Sequence, residues 1–583
     1  MDRNTWRLGL LGAASMTLVQ PPVDLWMAAW AAPVPWILLA ASPERAGERR
    51  IWPLWIAGFL HWLAAIHWLR LPHPATGIGW VILSAFLGLF VPAFVVATRR
   101  LVHRWGVPLV AAAPIAWMGL EQARGSLLGG FTMAAVGHTQ WRWTTIIQVA
   151  DLFGDVGMSG LVVLVAAGIA EAIPDGWNPG GGRRTAWRRC RPLAISALAV
   201  VAAAGYGSWR LATVPPSDRR PLEVLLVQGS IDTELKHDPA AAEDVARHYD
   251  AVTLEGLSPP GQPSIDRTAP DLVVWPETMW RWGLLEIDPA EELPEDVVAE
   301  AVGPPAEADD SPSGRARRQQ ACREKLVSQR LEAVGAFARR YGTAWLVGLD
   351  RQVVTPAAAS GARNFNSALF LDAEGRPLGR YDKMYPVLFG ECVPFGERFP
   401  WLYRLTPLPA GLAAGSRPLA VEIAGWNVAP TICFESTLPG AVRTMVRRLD
   451  AEGMHPDVIV NLTNDGWFWG SSELDMHLAC GIFRAVEVRT PFVIAANTGF
   501  SASIDGSGRL LARGPRRATA AIRARVVRDG RMSPFLVLGA APTGGCLAAV
   551  LFVLAERWRS HRSGGLGSLG CGRLELPWKR GSR

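Results

Sequence analysis

The sequence predicts a chain of two parts in the classes α and α/β: a polytopic transmembrane bundle of eight helices that carries a layered α/β domain. Three observations lead there. Hydrophobic residues make up 49% of the 583 positions, yet they crowd into the first 215 and one stretch near the C-terminus. Arginine clusters occupy alternate loops between the apolar stretches. Between about 220 and 530 the pattern changes to short β-branched runs separated by amphipathic segments.

Seven apolar segments precede residue 215, at roughly 5–21, 24–42, 51–70, 78–98, 105–123, 157–175 and 193–212, and an eighth runs from about 534 to 556. Each approaches the ~20 residues that a bilayer requires. Arg45, Arg49 and Arg50 follow the second segment, Arg99, Arg100 and Arg104 the fourth, and Arg183, Arg184, Arg188, Arg189 and Arg191 the sixth, while the alternate loops carry almost none. That asymmetry predicts a cytoplasmic N-terminus. Seven crossings then put residues 215–533 on the outer face, and the eighth returns a basic tail, 557–583, to the cytoplasm. The outer loop 125–156 is apolar but interrupted by Gly and polar residues, which predicts an interfacial or re-entrant segment. Arg3 and Arg7 precede the first apolar run as in a secretory signal, but a second run follows without a small-residue cleavage site, so both are read as retained anchors.

The α/β region divides in the same way. Runs at 223–229, 271–277, 344–350, 366–372, 427–435, 457–464 and 491–498 read as strands. Segments 318–341, 439–453 and 472–488 read as helices, the last with Ser472 and Asp475 as a capping box. Residues 284–316, rich in acid, Pro and Ala, read as a solvated, partly disordered insertion.

The net charge of +7 does not argue for nucleic acid, because the basic surplus sits where lipid headgroups would meet it. Seven cysteines without a C-x-x-C pair indicate neither a disulfide framework nor a thiolate metal site. No cofactor or metal is expected.

Three residues fall near predicted strand ends: Glu277 in "VVWPETMW", Lys383 in "GRYDKMYP" and Cys433 in "PTICFES". Parallel strands would bring such ends together. A carboxylate, an amine and a thiol supply a base, an oxyanion partner and a nucleophile for acyl transfer. A following helix N-terminus would stabilise the thiolate. Taken singly, each has a plainer reading: a core cysteine, a surface acid after a turn, a solvated lysine.

The fragments "WPE", "YDK" with Glu391 eight residues on, "CFES" and "NLTNDGWF" together resemble the nitrilase (carbon–nitrogen hydrolase) superfamily over about 220–520. With the membrane segments, the whole chain is similar to the apolipoprotein N-acyltransferase family, to which "GGFTMAAVGHTQ" and "LLVQGSIDTELKHDP" add support. The resemblance implies an αββα sandwich with Glu277 as general base, Lys383 as oxyanion stabiliser and Cys433 as nucleophile. It further implies Glu391 as an auxiliary acid, Glu435 and Phe434 flanking the thiol, and Asn461 and Asp465 bracing the pocket. His477, Arg484 and Glu487 share a helix, where an internal salt bridge is the expected role. Two departures stand out: Pro386-Val387-Leu388 replaces the family's Leu-Val-Pro, and His237 stands where an aromatic is usual.

What the resemblance implies about partners is a phospholipid acyl donor, a diacylated apolipoprotein acceptor and a multi-pass monomer in the cell inner membrane with its catalytic domain on the periplasmic face. Moving an acyl chain of about 15 methylenes into water would cost about 12 kcal/mol, so a lipid must reach the thiol without crossing water. The loops 278–285 and 398–405, rich in Trp, Phe, Tyr and Arg, are candidate lipid-facing rims; packing onto the domain's own core is their other reading. A membrane-anchored amidase or nitrile hydrolase with water as acceptor is the alternative activity.

Overall fold

A computed structural model describes residues 3–42, 51–173, 186–232, 234–235, 238–257, 269–305, 311–358, 361–396, 398–405 and 411–566. His237, Arg45, Arg49, Arg50, Arg183, Arg184 and the tail beyond 566 lie outside the described residues.

Helices occupy all eight apolar positions. Three of them, Thr76–His103, Ala150–Ala172 and Cys190–Ala212, are long and apolar enough to cross a membrane, whereas Trp26–Ala41 and Ala541–Glu556 are shorter apolar helices. Arg99 donates to the Leu39 carbonyl at 2.7 Å, and Arg104 pairs with Glu556 at 3.2 Å. These contacts gather helix ends on one side. At the opposite end Trp68 packs edge-on against Phe468 of the α/β domain, ring centres 5.0 Å apart. Within 125–156 the chain forms short turns at Leu127–Gly129, Val136–Gln140 and Thr144–Ile147, the second buried throughout.

The α/β domain is built on two six-stranded sheets. The first comprises β1 (Leu222–Gln228), β2 (Leu272–Ile287), β3 (Ala344–Val354), β4 (Ala362–Leu371), β5 (Pro377–Asp382) and β12 (Ala520–Val526), in the order β12-β1-β2-β3-β4-β5. The second comprises β6 (Val421–Ile423), β7 (Trp426–Ile432), β8 (Val458–Thr463), β9 (Phe492–Ala496), β10 (Ala502–Ile504) and β11 (Leu510–Arg513), in the order β11-β10-β9-β8-β7-β6. Strands β1–β2–β3 and β7–β8–β9 are parallel; their flanks are antiparallel. Leu226, Val274, Leu346 and Phe370 of one sheet meet Val428, Val460, Leu462 and Val493 of the other in one buried layer. Helices Ala242–Leu257 and Pro312–Tyr341 cover the first sheet through Tyr249, Val252, Val334 and Ala338. Helices Pro439–Ala451 and Glu473–Val488 cover the second, and their outer faces share a core with the N-terminal apolar helices.

Several expectations need correction. The acidic run holds regular structure not expected from its composition: β2 continues to Ile287, and the helix Glu295–Val302 buries Val298 and packs along Pro312–Tyr341, while residues 306–310 lie outside the described residues. That long helix begins at 312, capped by the Ser311 hydroxyl, and not at 318. Composition alone hid one apolar contact face in an acidic run. Ser472 does precede the helix Glu473–Val488, but its own backbone is already helical and its side chain makes no capping bond, so the capping box does not form.

Charge joins the two parts. Arg484 is fully buried on Glu473–Val488 and donates to Asp155 of the helix Ala150–Ala172 at 2.9 Å and to Glu487 at 2.8 Å. One turn earlier on the same apolar helix, Asp151 is paired by Arg489 and, at 2.8 Å, by Arg210. The Arg484–Glu487 bridge was expected from spacing; its partner on the apolar helix was not. Replacing Arg484 by Ala strands two buried carboxylates and should lower stability by about 3–5 kcal/mol, measured as a lower unfolding temperature of the full chain in detergent.

Candidate active site

Four consecutive residues of β2, Pro276 to Met279, bulge out opposite Gly348, so the register jumps from Trp275–Val347 to Trp280–Leu349. A bulge of this kind re-aims a side chain. It does so here for Glu277, followed by Thr278 at a left-handed φ of +55°. Gly348 permits the close approach, since a Cβ there would lie 2.3 Å from the Pro276 carbonyl oxygen.

The Glu277 carboxylate is buried and accepts from Asn366 Nδ2 at 2.6 Å and from the Asn464 N–H at 2.8 Å. Lys383, one residue past β5, is buried with its Nζ 2.8 Å from Glu391 Oε1 and 3.8 Å from Glu277 Oε1. Its backbone is held on both sides, by the Asn366 carbonyl at 2.9 Å and the Gly415 N–H at 2.8 Å. Glu391 also accepts from the Val387 N–H at 2.8 Å, closing the 387–392 loop over the amine. The unusual Pro386-Val387-Leu388 therefore still delivers Glu391 to Lys383.

Cys433 follows β7, opens the short turn Cys433–Thr437 and has a left-handed φ of +52°. Its side chain keeps part of its surface exposed. Glu435 does more than flank it. The buried Glu435 carboxylate accepts from the N–H groups of Ile432, Met384 and Tyr385 at 2.7, 2.7 and 3.0 Å and from the Tyr381 hydroxyl at 2.8 Å. One acid thus ties the cysteine turn to the lysine loop. Phe434 is partly exposed beside the thiol, and its carbonyl accepts from the Thr437 hydroxyl. Asn461 donates to the Cys433 carbonyl at 3.3 Å. Asp465 accepts from Thr463 and faces His477 at 3.1 Å. His477 is therefore bound to Asp465 and to Ser436, not to Arg484.

Two readings of this region change. The three groups do not sit at the ends of one parallel sheet: Glu277 and Lys383 come from the first sheet, Lys383 after an antiparallel strand, and Cys433 from the second. They meet across the sandwich. The helix N-terminus at the thiol is also shorter than expected: a single 3-10 turn, Cys433–Thr437, begins there, and the next α-helix begins only at Pro439. Of the two candidate rims, 278–285 turns largely inward: Met279, Trp280 and Leu284 are buried, with Trp280 against Phe337. The other keeps Phe399 and Trp401 exposed, as are Phe389 and Phe395, and Leu388 lies against Gly129 of the N-terminal part.

Sequence reasoning missed Asn366, Tyr381, Ser436 and the Asn464 N–H. Asn366 and Tyr381 lie on alternating strands where polar residues normally face solvent, so their only signal was their failure to fit a core. Asp465, Glu473 and His477 bring ligand atoms within 4.8 Å of one another, but the imidazole already bridges Asp465 and Ser436, which makes this a hydrogen-bonded cluster.

The electrostatics fit a neutral thiol beside a fixed cation. Burial pushes the Cys433 thiol well above its ordinary range, and the Glu277 carboxylate adds to the rise while Lys383 opposes it. Burial alone would discharge Lys383, yet Glu391, Cys433 and Glu277 together hold its pKa above the usual lysine value. Ionisation of a thiol held in this way requires a proton acceptor, and the Glu277 carboxylate is close enough to act on it electrostatically.

The chain matches the family model described as carbon-nitrogen hydrolase over residues 232–531 and that of the apolipoprotein N-acyltransferase N-terminal domain over 12–168. It is similar to the apolipoprotein N-acyltransferase of Rhodopirellula baltica, 27% identical over 574 residues, covering 93% of this chain and 95% of the relative. The apolipoprotein N-acyltransferase of Geobacter metallireducens is 26% identical over 571 residues, 96% of each chain. Among solved structures, an amidase from Nesterenkonia sp. is 15% identical with a TM-score of 0.33, covering 57% of this chain and 98% of that one.

Because Glu277 raises the thiol pKa, Glu277→Gln should lower it. Alkylation of Cys433 by iodoacetamide should then rise at lower pH in the variant than in the parent. Mass-resolved alkylation rates from about pH 6 to 10, a range that brackets the ordinary thiol value, check this shift.

Proposed function

The chain belongs to the carbon–nitrogen hydrolase family, and on that premise we propose that it is an N-acyltransferase that moves a fatty acyl chain from a membrane phospholipid, through a thioester on Cys433, to the α-amino group of the diacylglyceryl-cysteine of apolipoproteins. One observation carries the chemistry: a buried lysine held between Glu391 and Glu277, with the Cys433 thiol inside the same electrostatic field. The acceptor is supported by similarity to apolipoprotein N-acyltransferases along nearly the whole chain.

In the first half-reaction Glu277 takes the thiol proton as sulfur attacks the ester carbonyl of the donor. Lys383 offsets the charge on the tetrahedral oxygen. Collapse breaks the C–O bond, and the departing lysophospholipid oxygen takes the proton from Glu277. In the second, the acceptor amine attacks the thioester and gives a proton to Glu277. The C–S bond breaks, sulfur is reprotonated, and an amide remains. Glu391 keeps Lys383 charged and aimed throughout.

We place the enzyme as a multi-pass monomer in the cell inner membrane. All eight apolar helices cross, and the residue 215–533 domain lies on the periplasmic face. Exposed Phe389, Phe395, Phe399 and Trp401, in the loops on either side of Glu391, give acyl chains an apolar approach that avoids the cost of crossing water.

Incubated with phospholipid alone, the enzyme should gain the mass of one acyl chain on Cys433 and release lysophospholipid. Adding a diacylated lipopeptide should discharge it. Cys433→Ala should show no gain, and Lys383→Met should slow acylation by about 10²–10³-fold. Acyl mass on another residue, or discharge to water at an equal rate, would remove this reading in favour of another nucleophile or of hydrolysis.

A further inference from the structure

A non-glycine residue in the left-handed region persists only where its surroundings enforce it, and Cys433 is such a residue. Its main-chain carbonyl is gripped from below. Ser436 Oγ donates to it at 2.9 Å and Asn461 Nδ2 at 3.3 Å. Both donors converge on one buried ring, His477, whose Nε2 lies 2.7 Å from Ser436 Oγ and 3.5 Å from Asn461 Nδ2.

Counting protons fixes the direction of the Ser436 bond and leaves Asn461 Nδ2, itself a donor, as a neighbour of Nε2 that makes no bond to it. A hydroxyl has one hydrogen, and Ser436 gives it to the Cys433 carbonyl, so Nε2 must be the donor to Ser436. On the other edge Nδ1 stands 3.1 Å from Asp465 Oδ1, which accepts. Both ring nitrogens then carry hydrogen. The carboxylates facing the ring agree with that state, Asp465 from the turn after β8 and Glu277 from the first sheet, while Glu473, 3.8 Å away on its own helix, is pushed toward its neutral form by burial and by Asp465. Burial opposes the charge, but Asp465, the Cys433 backbone and Glu277 together raise the pKa of His477.

We propose that His477 is a positioning residue for the nucleophile, clamped on Asp465 and donating through Ser436 to the Cys433 carbonyl, so that it holds the turn that presents the thiol. This rests on Cys433 being the nucleophile. His477 touches no reacting atom in this scheme; it acts through the main chain.

The two edges of the ring can be separated by substitution. His477→Gln can place an amide N–H where Nε2 was and keep the bond to Ser436, whereas His477→Asn reaches only toward Asp465. In full-length enzyme in detergent, with a phospholipid radiolabelled in its acyl chain, His477→Asn and His477→Ala should cut the acylation rate about 10- to 100-fold, the scale of a displaced reacting group. KM for the phospholipid should not move, and His477→Gln should recover most of the rate. Equal rates for the Gln and Asn variants, or a parental rate for Ala, would overturn the proposal. Should the His477 variants fail to fold by size exclusion, Ser436→Ala decides: a reduced rate at unchanged KM supports the clamp, and a parental rate overturns it. If Cys433→Ala itself still transfers acyl groups, the nucleophile assignment has failed; if it is inert while the Ser436 and His477 variants are fully active, only the clamp has.

Discussion

A lysine ammonium held between two carboxylates inside a sandwich core is the constraint on which the rest of the site depends. Burying one charge is tolerable only when it is paired and its partners are themselves satisfied. Glu391 meets that condition through the Val387 N–H, and Glu277 through Asn366 and the Asn464 N–H. Each of those bonds fixes a loop or strand: 387–392, the middle of β4, the turn after β8. The geometry of the cleft is therefore set by the hydrogen bonds that allow Lys383 to remain charged, and the same charge is what a tetrahedral oxygen would need beside it.

Glu435 repeats this logic without a cation. Its four donors come from the end of β7, the residues after Lys383 and Tyr381 on β5. Since β7 and β5 belong to different sheets, the carboxylate fixes the spacing between the sheets at the point where amine and thiol must meet. Loss of that acid would free both loops at once, so an effect on rate would come through distance and not through any proton it exchanges.

How much of this was legible in the sequence follows from range. Strand cores such as Leu272–Trp275 in β2 and Trp345–Val347 in β3 announced themselves through local apolar and β-branched runs, and the Glu277, Lys383 and Cys433 set was found because its flanking motifs resemble a known superfamily. What stayed hidden depends on partners far along the chain. The bulge that aims Glu277 requires Gly348 on the neighbouring strand, and nothing local to "WPET" implies it. The acidic run after β2 looked solvated because acids and Pro dominate it, yet Val298 alone gives its helix a buried edge. Parallel-strand reasoning placed the three side chains together for the wrong reason: they converge because two sheets face each other, which no single strand encodes.

The Cys433–Thr437 turn is also where the two parts of the chain meet. The Thr437 carbonyl, at the end of the turn that Cys433 begins, accepts from Thr132 of the N-terminal part at 2.5 Å and from Arg484 at 3.1 Å. Arg484 is in turn fixed by Asp155 on a helix long and apolar enough to cross a membrane, and Asp155 by His138 at 2.9 Å. One end of the turn is thus anchored within the α/β domain, through Ser436 and Asn461, and the other on the N-terminal part. Because the backbone around the thiol is completed by residues from the apolar half of the chain, that half is part of the structural frame of the site.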